Sequence, residues 1–320
     1  MKFGKLFVAC VVSMLVSLTG AWAQAGYPTQ IVKIVVPFSA GSNTDILARI
    51  LAERLGPMWG QTVIVENKPG ITGTISVANS PADGYTLMLT SNGHTILNVL
   101  NKDLSIDPVT SFVGVTEVAS VPLVLIVAPE VQANTLKEFT ALAKANPGKL
   151  NFASAGLASS NYIAGELLKQ TAAIDIVHIP YRGTPEQLTS LMRGDAQLSM
   201  AFLGTALSFI QAGKVRAVAI ATPQRSPSLP DVPTFAEAGL PDYKYDSWFG
   251  LMAPAKTPAP ILKKVSDDVA KILKDVDVQK RLETLGAVPV GNTPEQFDAT
   301  IRADTDRYGK LLKAAGITPK

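Results

Sequence analysis

The sequence predicts an α/β protein of two lobes, each a mixed sheet flanked by helices, with two crossover strands between them. Short apolar runs typical of strands alternate with amphipathic helical patterns along most of the chain. Two of these runs, Val121–Ala128 and Val215–Thr222, lack a pronounced alternation of apolar and polar residues, which is typical of fully buried strands. The chain has 320 residues, 47% of them apolar and 17% charged. This length and composition suit two domains and exclude disordered, collagen-like and coiled-coil proteins.

The first 23 residues are predicted to be a secretory signal peptide. Lys2 and Lys5 precede an apolar stretch from Leu6 to Leu18, and Ala21-Trp22-Ala23 supplies a cleavage site after Ala23. Removing this segment leaves 27 basic and 26 acidic side chains, and it removes Cys10, the sole cysteine. An alternative, lipid attachment at Cys10, leaves only nine residues before the cysteine. We therefore expect a thiol-free protein exported to the periplasm, with no later spanning helix.

The remaining elements follow from local patterns. Strands are predicted at Ile31–Val36, Thr62–Glu66, Thr86–Thr90, Leu123–Ala128, Leu150–Ala153, Ile176–Pro180, Gln197–Phe202 and Val215–Ala221. Helices are predicted at Thr44–Leu55, Leu136–Ala145, Ser160–Gln170, Pro185–Arg193, Pro260–Lys274 and Pro294–Ala314. Thr184 and Thr293 each begin a Thr-Pro-Glu-Gln sequence, which predicts a threonine cap followed by proline at the first helical position. Thr135 begins another predicted capping box.

The order of these elements predicts a discontinuous domain. The residues between the two buried runs form a self-sufficient βαβαβ set, so the chain before and after them must build the other domain. We expect domain 1 to comprise residues 24–120 and 222–320, and domain 2 residues 121–221. This is the architecture of bilobal periplasmic binding proteins, or Venus flytraps, which close around a ligand by hinge motion.

The loop before the first helix is a candidate anion site. A loop of small residues that enters a helix directs unpaired N–H groups and the positive end of the helix dipole at a ligand. The alternative is that Ser42 caps the helix and Asp45 completes a capping box. This alternative is favoured for Asp45, because its carboxylate would repel an anion. The candidate residues are Ser39, Ala40, Gly41, Ser42 and Asn43.

Two later loops have similar chemistry. After the second strand, Gly70, Thr72, Gly73 and Thr74 offer close backbone approach and hydroxyl donors, although a plain turn is an equal alternative. In domain 2, the strand–loop–helix from Ser154 to Asn161 repeats the pattern of the first loop, with candidates Ser154, Ala155, Ser159 and Asn161. We expect two helix N-termini to face each other across a cleft, an arrangement suited to a ligand with two separated negative groups.

Further candidates lie at the ends of other strands. His94 either binds a carboxylate or caps a turn, whereas His178 is expected to be a satisfied, half-buried histidine. Arg182 is placed to reach an anion in the cleft, although arginines are common on protein surfaces. The candidates are Ser91, Asn92, His94, Tyr181, Arg182, Phe202 and Thr205, the last two as an apolar wall.

Motifs for other functions are absent from the sequence. It contains no Gly-x-Ser-x-Gly elbow, no Gly-x-x-x-x-Gly-Lys-[Ser/Thr] loop and no Gly-x-Gly-x-x-Gly fingerprint. Two separated histidines, with no cysteine after the signal peptide, make a metal site unexpected, and no cofactor is expected. The small net charge and the lack of basic runs argue against nucleic-acid binding.

A series of short motifs, in order along the chain, resembles a known family. The motifs are Val35-Val36-Pro37-Phe38, Asp45 with Ala48-Arg49, Val65–Gly70, Ala82–Leu87, Ile179–Gly183, Ala212–Ala217, Leu229–Phe235 and Glu237-Ala238-Gly239. Together they resemble the substrate-binding receptors of tripartite tricarboxylate transporters, also called Bug receptors. The resemblance extends from Tyr27-Pro28 to the C-terminal helix.

The resemblance implies a Venus-flytrap receptor that captures a small carboxylate and delivers it to the large and small membrane subunits of a transporter. It implies that the loops Ser39–Asn43 and Gly70–Thr74 contact one carboxylate through backbone groups and water. The opposite lobe, at Ser154–Asn161 and the strand end at Phe202, would read the rest of the ligand. We expect the receptor to be a monomer.

The sequence departs from the family pattern in three places. The first loop lacks the proline or second glycine that relatives usually carry, and the second loop has fewer glycines. Phe202-Leu203-Gly204-Thr205 lacks the acidic or amide residue that often follows this strand. Such an acid pairs with the ammonium group in amino-acid binders. We therefore expect an amine-free ligand, an aliphatic or aromatic mono- or dicarboxylate with a sizeable apolar body.

Two other functions compete with transport. The same fold serves as a solute sensor when it docks to a signalling membrane protein. A secreted hydrolase is the third possibility, with Ser154 as nucleophile and His94 as base, although no local sequence signature supports a Ser-His-Asp triad.

Overall fold

The computed structural model describes residues 26–157 and 159–317, so the predicted signal peptide and its cleavage site lie outside the described residues. Within these ranges no helix is both long and apolar enough to cross a membrane. The strands are β1 (Val32–Val36), β2 (Val63–Asn67), β3 (Thr86–Ser91), β4 (Phe112–Ser120), β5 (Leu123–Val127), β6 (Asn151–Ser154), β7 (Val177–Pro180), β8 (Leu198–Phe202), β9 (Arg216–Ile220), β10 (Trp248–Pro254) and β11 (Val288–Pro289). The α-helices are α1 (Asn43–Trp59), α2 (Ile71–Ala78), α3 (Leu97–Leu100), α4 (Leu136–Ala145), α5 (Ser160–Ala172), α6 (Thr184–Arg193), α7 (Leu203–Gln211), α8 (Ala259–Ile272), α9 (Val276–Thr284) and α10 (Pro294–Ala314), and a 3-10 helix spans Asn92–Ile96.

The first sheet has six strands in the order β11-β4-β10-β3-β1-β2. β1 lies parallel to β2 and β3, with Val32 opposite Val63 and Lys33 opposite Thr86. β10 runs antiparallel between β3 and β4, and β11 extends the far edge antiparallel to β4. The sheet therefore combines strands from before and after the intervening segment of the chain.

The second sheet has five strands in the order β7-β6-β8-β5-β9. β6 is parallel to β7 and β8, whereas β5 is antiparallel to both β8 and β9. The two runs predicted to be buried strands, β5 and β9, thus pair with each other. Two mixed sheets with flanking helices confirm the predicted fold class.

β4 and β10 were absent from the predicted strands, and their glycines explain why. Gly114 on β4 and Gly250 on β10 leave space for the buried ring of Phe297 from α10, since a Cβ on Gly250 would overlap that ring. Trp248 packs edge-on against the same ring, with the ring centroids 5.0 Å apart. The glycines interrupt the apolar pattern of both strands. They are needed because a side chain at either position would collide with Phe297, which lies on a helix distant in sequence.

Helix α10 has its predicted bounds, and its capping box is confirmed. The Gln296 N–H donates to Thr293 Oγ1 at 3.3 Å, and the Thr293 N–H donates to Gln296 Oε1 at 3.0 Å. At α6 the predicted cap is wrong by one residue. Gly183 holds the cap position and Thr184 is already the first helical residue.

Thr293→Ala is expected to lower the free energy of unfolding by about 1 kcal/mol, because an N–H at the start of α10 loses its acceptor. Urea unfolding measures the change. Thr300→Ala, on the same helix, is the matched control, since its hydroxyl bonds only to the Gln296 carbonyl within the helix. A loss that is equal in both variants would contradict a capping role for Thr293.

Candidate ligand-binding site

Three helices from the two sides of the molecule begin at one place. α1 follows β1 of the first sheet, and α5 and α6 follow β6 and β7 of the second. Their first residues surround a cavity of about 10 Å³, here called the inner cavity, which has about the space that one water molecule needs. Its lining is Phe38, Ser42, Asn43, Thr44, Ser91, Ala155, Ser159, Ser160, Asn161, Thr184, Phe202 and Phe249.

The helix caps leave N–H groups available at this cavity. The Ser42 hydroxyl accepts from the N–H of Asp45, and the Ser159 hydroxyl accepts from that of Tyr162. Gly183 provides no side-chain cap for α6. Because the first N–H groups of a helix have no partner within it, those ahead of Asp45 and Tyr162 remain to be satisfied. Three helix dipoles therefore place positive potential at one point, which favours an anion.

Side chains at the inner cavity also have unsatisfied polar atoms. Asn43, Ser91 and Asn161 are 1%, 2% and 0% exposed. Both amide atoms of Asn43, Oγ of Ser91 and Oδ1 of Asn161 have no hydrogen-bond partner among the described residues. A buried polar atom without a partner costs about 1–3 kcal/mol, so such atoms are rare in folded proteins. Their concentration here points to a ligand or water that completes the hydrogen bonds.

A larger cavity of about 550 Å³, here called the outer cavity, adjoins the inner one at Phe38 and Ala155. Its other lining residues are Pro37, Pro69, Gly70, Ile71, Leu97, Asn101, Gly156, Leu157, Pro180, Tyr181 and Arg182. Among the described residues that line the two cavities, Arg182 carries the one charged side chain, and none is acidic. The site thus consists of an inner cavity with polar side chains and an outer cavity whose lining is mainly apolar.

The structure places ten of the twenty predicted site residues in the lining of these cavities. Ser42, Asn43, Ser91, Ala155, Ser159, Asn161 and Phe202 line the inner cavity. Gly70, Ala155, Tyr181 and Arg182 line the outer one. Both sides also meet directly, because the backbone N–H of Ser39 donates to the Arg182 carbonyl at 3.4 Å.

The other ten predicted residues line neither cavity, and they are Ser39, Ala40, Gly41, Thr72, Gly73, Thr74, Asn92, His94, Ser154 and Thr205. Ala40, Gly41 and Thr72 are exposed, and Gly73 and Thr74 are buried in the first turn of α2. These positions shape the two loops without facing either cavity.

Asp45 braces the first loop but does not complete the predicted capping box, because the Ser42 N–H donates to the Ser39 carbonyl at 3.2 Å. Its carboxylate accepts from the Gly41 N–H at 2.9 Å, from Arg49 Nε at 3.1 Å and from Asn67 Nδ2 at 3.0 Å. Burial opposes ionisation, but these donors together hold the pKa of Asp45 below its ordinary value. The acid is therefore ionised and fully engaged with its neighbours rather than with the cavity.

Asn92 joins the two sides of the molecule instead of facing the cavity. Its Oδ1 accepts from the Ser160 hydroxyl at the start of α5, and its Nδ2 donates to the Asp246 carbonyl at 3.1 Å. The Tyr245 hydroxyl lies 3.1 Å from the same Oδ1 and 2.9 Å from the Ser160 carbonyl. Asn92 thus links the 3-10 helix, α5 and the segment that leads into β10.

His94 does not reach either cavity, so its predicted contact with a carboxylate is wrong. It is buried, with Nε2 2.7 Å from the Pro108 carbonyl and its ring edge-on to Phe112. Burial lowers the pKa of His94 to about 4, and the ring is neutral at pH 7. Its place is the interior of the first side, because the 3-10 helix turns it away from the cleft.

Ser154 pairs with a different histidine from the one expected. Its Oγ lies 2.7 Å from His178 Nε2, and burial lowers the pKa of His178 to about 3. Ser154 has no exposed surface, so the pair holds the loop after β6 and offers no accessible nucleophile. His178 is half-buried and hydrogen-bonded, as predicted.

Thr205 also lies away from the cavities. α7 begins at Leu203, directly after β8, and the Thr205 hydroxyl donates to the Phe202 carbonyl at 3.0 Å within that first turn. Of the pair proposed as an apolar wall, Phe202 alone takes that place, with its ring 5.0 Å from that of Phe249.

Some lining residues escaped the prediction. Thr44, Ser160 and Thr184 lie in the first turns of predicted helices. They would have been predicted if the candidate residues of each loop had included the first turn of the helix that follows it. Phe38 was part of the quoted Val-Val-Pro-Phe motif, whereas Phe249 lies on the unpredicted strand β10.

Comparison with known proteins identifies the family. Residues 47–317 match the tripartite tricarboxylate transporter family receptor. The structure of the periplasmic binding protein BugD is similar, with 33% sequence identity, a TM-score of 0.85 and coverage of 92% of this chain and 100% of that one. A protein of R. palustris with adipate has 34% identity, a TM-score of 0.86 and the same coverage. MatC from Rhodopseudomonas palustris with bound malate has 31% identity and a TM-score of 0.83, over 89% of this chain and 100% of that one.

The family consists of solute-binding receptors, and these structural neighbours are binding proteins and not enzymes. The match covers most of the chain, from within α1 to the last described residue, and includes every strand of both sheets except β1. This chain belongs to the family of periplasmic solute-binding receptors of tripartite tricarboxylate transporters.

Proposed function

We propose that this receptor binds a small, amine-free organic mono- or dicarboxylate between its two lobes and delivers it to the membrane subunits of a tripartite tricarboxylate-type transporter. The observation that carries the proposal is the inner cavity, where three helix N-termini meet the unpaired polar atoms of Asn43, Ser91 and Asn161. In this proposal the chain acts as a monomer after cleavage behind Ala23.

The ligand is enclosed by movement of two lobes, residues 24–120 with 222–320 and residues 121–221. The chain passes between the sheets through residues 121–122 and 221–247, and these connections touch where the Val121 N–H donates to the Ser247 carbonyl at 3.3 Å. Two connections that are hydrogen-bonded to each other favour hinge closure over independent motion of the lobes. Closure brings the N-terminus of α1 to those of α5 and α6.

The charges around the cavities support an amine-free ligand. An ammonium group buried there would have no carboxylate to pair with, and burying an unpaired charge is costly. The apolar lining of the outer cavity suits a hydrocarbon body, and Arg182 at its rim suits a second carboxylate. Adipate and malate, which the two R. palustris neighbours hold, are both amine-free dicarboxylates.

Thermal unfolding of the purified protein with a panel of acids tests this proposal. Amine-free acids such as succinate, adipate and benzoate are compared with aspartate, glutamate and lysine. At ten times its Kd, a bound acid is expected to add about 1.4 kcal/mol to the free energy of unfolding. Tighter binding of an amino acid than of every amine-free acid would contradict the proposed ligand class. Stabilisation by neutral sugars alone would contradict carboxylate binding.

A further inference from the structure

Resting on the proposed function, a second inference concerns which carboxylates fit. We propose that the inner cavity selects acids that carry a hydroxyl group near the carboxylate, and that the Oδ1 atom of Asn161 accepts the hydroxyl proton. Asn161 is then the specificity-determining residue of the second lobe.

The orientation of the Asn161 amide is fixed by its neighbour on β8. Its Nδ2 donates to the carbonyl oxygen of Met200, and the reverse orientation would place two acceptor oxygens together with no proton between them. The same carbonyl also accepts from Gln187 Nε2 at 3.3 Å. The atom of Asn161 left without a partner is therefore an acceptor, and it is fully buried at the inner cavity.

A carboxylate alone does not satisfy this cavity. Asn43 Nδ2, the Ser91 hydroxyl and the free helix N–H groups are donors that match carboxylate oxygens. Asn161 Oδ1 and Asn43 Oδ1 are acceptors, and an ionised carboxylate has no proton to give them. A ligand hydroxyl supplies that proton. An ammonium group also supplies protons, but none of the described lining residues is acidic to balance its charge.

The size of the cavity places the hydroxyl close to the carboxylate. The inner cavity is near the volume of one water molecule, and the remaining space lies beyond Phe38 and Ala155 in the outer cavity. The carboxylate and a hydroxyl on the adjacent carbon occupy the polar interior when the cleft adjusts around them, and the body extends outward. An acid without the hydroxyl leaves Asn161 Oδ1 buried and unpaired, which costs binding free energy. Sites built to bind a hydroxyl reject analogues that lack it for this reason.

Matched acid pairs test the inference by calorimetry on the wild-type protein. The pairs are lactate with propionate, malate with succinate, 2-hydroxyadipate with adipate, and mandelate with phenylacetate. In the pair whose length fits best, the hydroxy acid is expected to bind at least about tenfold tighter, equivalent to about 1.4 kcal/mol. Equal or weaker binding of the hydroxy acid in every pair that binds would overturn the inference and leave the proposed function intact. Failure of every acid to bind would overturn both.

The Asn161→Ala variant tests the residue itself. The preference within the best pair is expected to fall below about twofold, because the acid lacking the hydroxyl no longer leaves a buried acceptor unpaired and binds more tightly. Gln187 still satisfies the Met200 carbonyl in this variant. Asn146→Ala is the matched control, since Asn146 Nδ2 likewise donates to a backbone carbonyl, that of Leu142 at 3.0 Å, at the end of α4. A preference that survives in Asn161→Ala would overturn the assignment. If that variant does not fold, the wild-type pairs decide.

Discussion

Replacing Gly204 by alanine is expected to weaken carboxylate binding by at least about 100-fold while the protein remains folded. Gly204 lies in the first turn of α7, which follows β8 of the second sheet, and it packs on Leu285, which precedes β11 of the first sheet. A Cβ at position 204 would overlap the backbone carbon and oxygen atoms of Leu285. A backbone cannot rotate away as a side chain can, so the alanine holds the lobes apart.

The expected magnitude follows from the population of the closed form. Apparent affinity falls in proportion to the fraction of molecules able to close, so a cost of about 2.7 kcal/mol for closure gives about 100-fold weaker binding. Calorimetry measures the Kd, and small-angle scattering shows whether ligand still contracts the molecule.

Gly309→Ala is the control for this variant. Gly309 lies within α10, and a Cβ there would meet Val99 Cγ2 at 3.8 Å, an ordinary contact. The control is expected to bind like the wild type and to be slightly more stable, because alanine favours a helix over glycine. Wild-type affinity in Gly204→Ala would show that the contact between α7 and Leu285 is not part of the liganded form.

Local sequence patterns predicted most elements because their causes are local. The Thr293 capping box and the apolar stripe that follows it fixed both ends of α10, and the small-residue loops after β1 and β6 predicted helix N-termini at the cleft. β4 and β10 could not be found in the same way. Gly114 and Gly250 leave space for the Phe297 ring of α10, and no sequence pattern within either strand indicates this contact.

The orientation of side chains within the site was harder to predict than its location. Asn92 and His94 are two residues apart in a 3-10 helix, where three residues complete a turn, so they face different sides. Asn92 meets α5 across the cleft and His94 packs on Phe112. Since no short-range pattern marks this 3-10 helix, both residues were equal candidates from the sequence. The pairing of Ser154 with His178 likewise depends on β6 and β7 lying side by side.

The electrostatics of the site are local, as the small net charge of the chain requires. With 27 basic and 26 acidic side chains after the predicted signal peptide, the overall field does little to attract an anion. Three helix N-termini supply the attraction at short range, and Arg182 adds one cation at the rim. A change of charge at one helix N-terminus should therefore have a large effect on binding.

Asn43→Asp is expected to weaken carboxylate binding by at least about 100-fold. The two side chains have nearly the same shape, so packing in the first turn of α1 is retained, but the new carboxylate takes the N–H groups that the ligand needs. The aspartate and ligand carboxylates, if about 4 Å apart, repel each other by about 4 kcal/mol at an effective dielectric constant of about 20. This repulsion is enough to weaken binding by about 100-fold. Stability without ligand is also expected to fall, because position 43 is 1% exposed and burying an unpaired charge is costly, although the helix dipole offsets part of that cost.

Asn134→Asp separates the local effect from the change in net charge. Asn134 is exposed and precedes the Thr135 cap of α4, so the same substitution places a charge near a helix N-terminus. Asn134 is distant in sequence from the loops of the site, and it lines neither cavity. Its Kd for the same acid, measured by calorimetry, is expected to match that of the wild type. If both variants bind like the wild type, the N-terminus of α1 does not hold the carboxylate. If both lose affinity equally, binding responds to net charge, and the local field of three converging helices is not its cause.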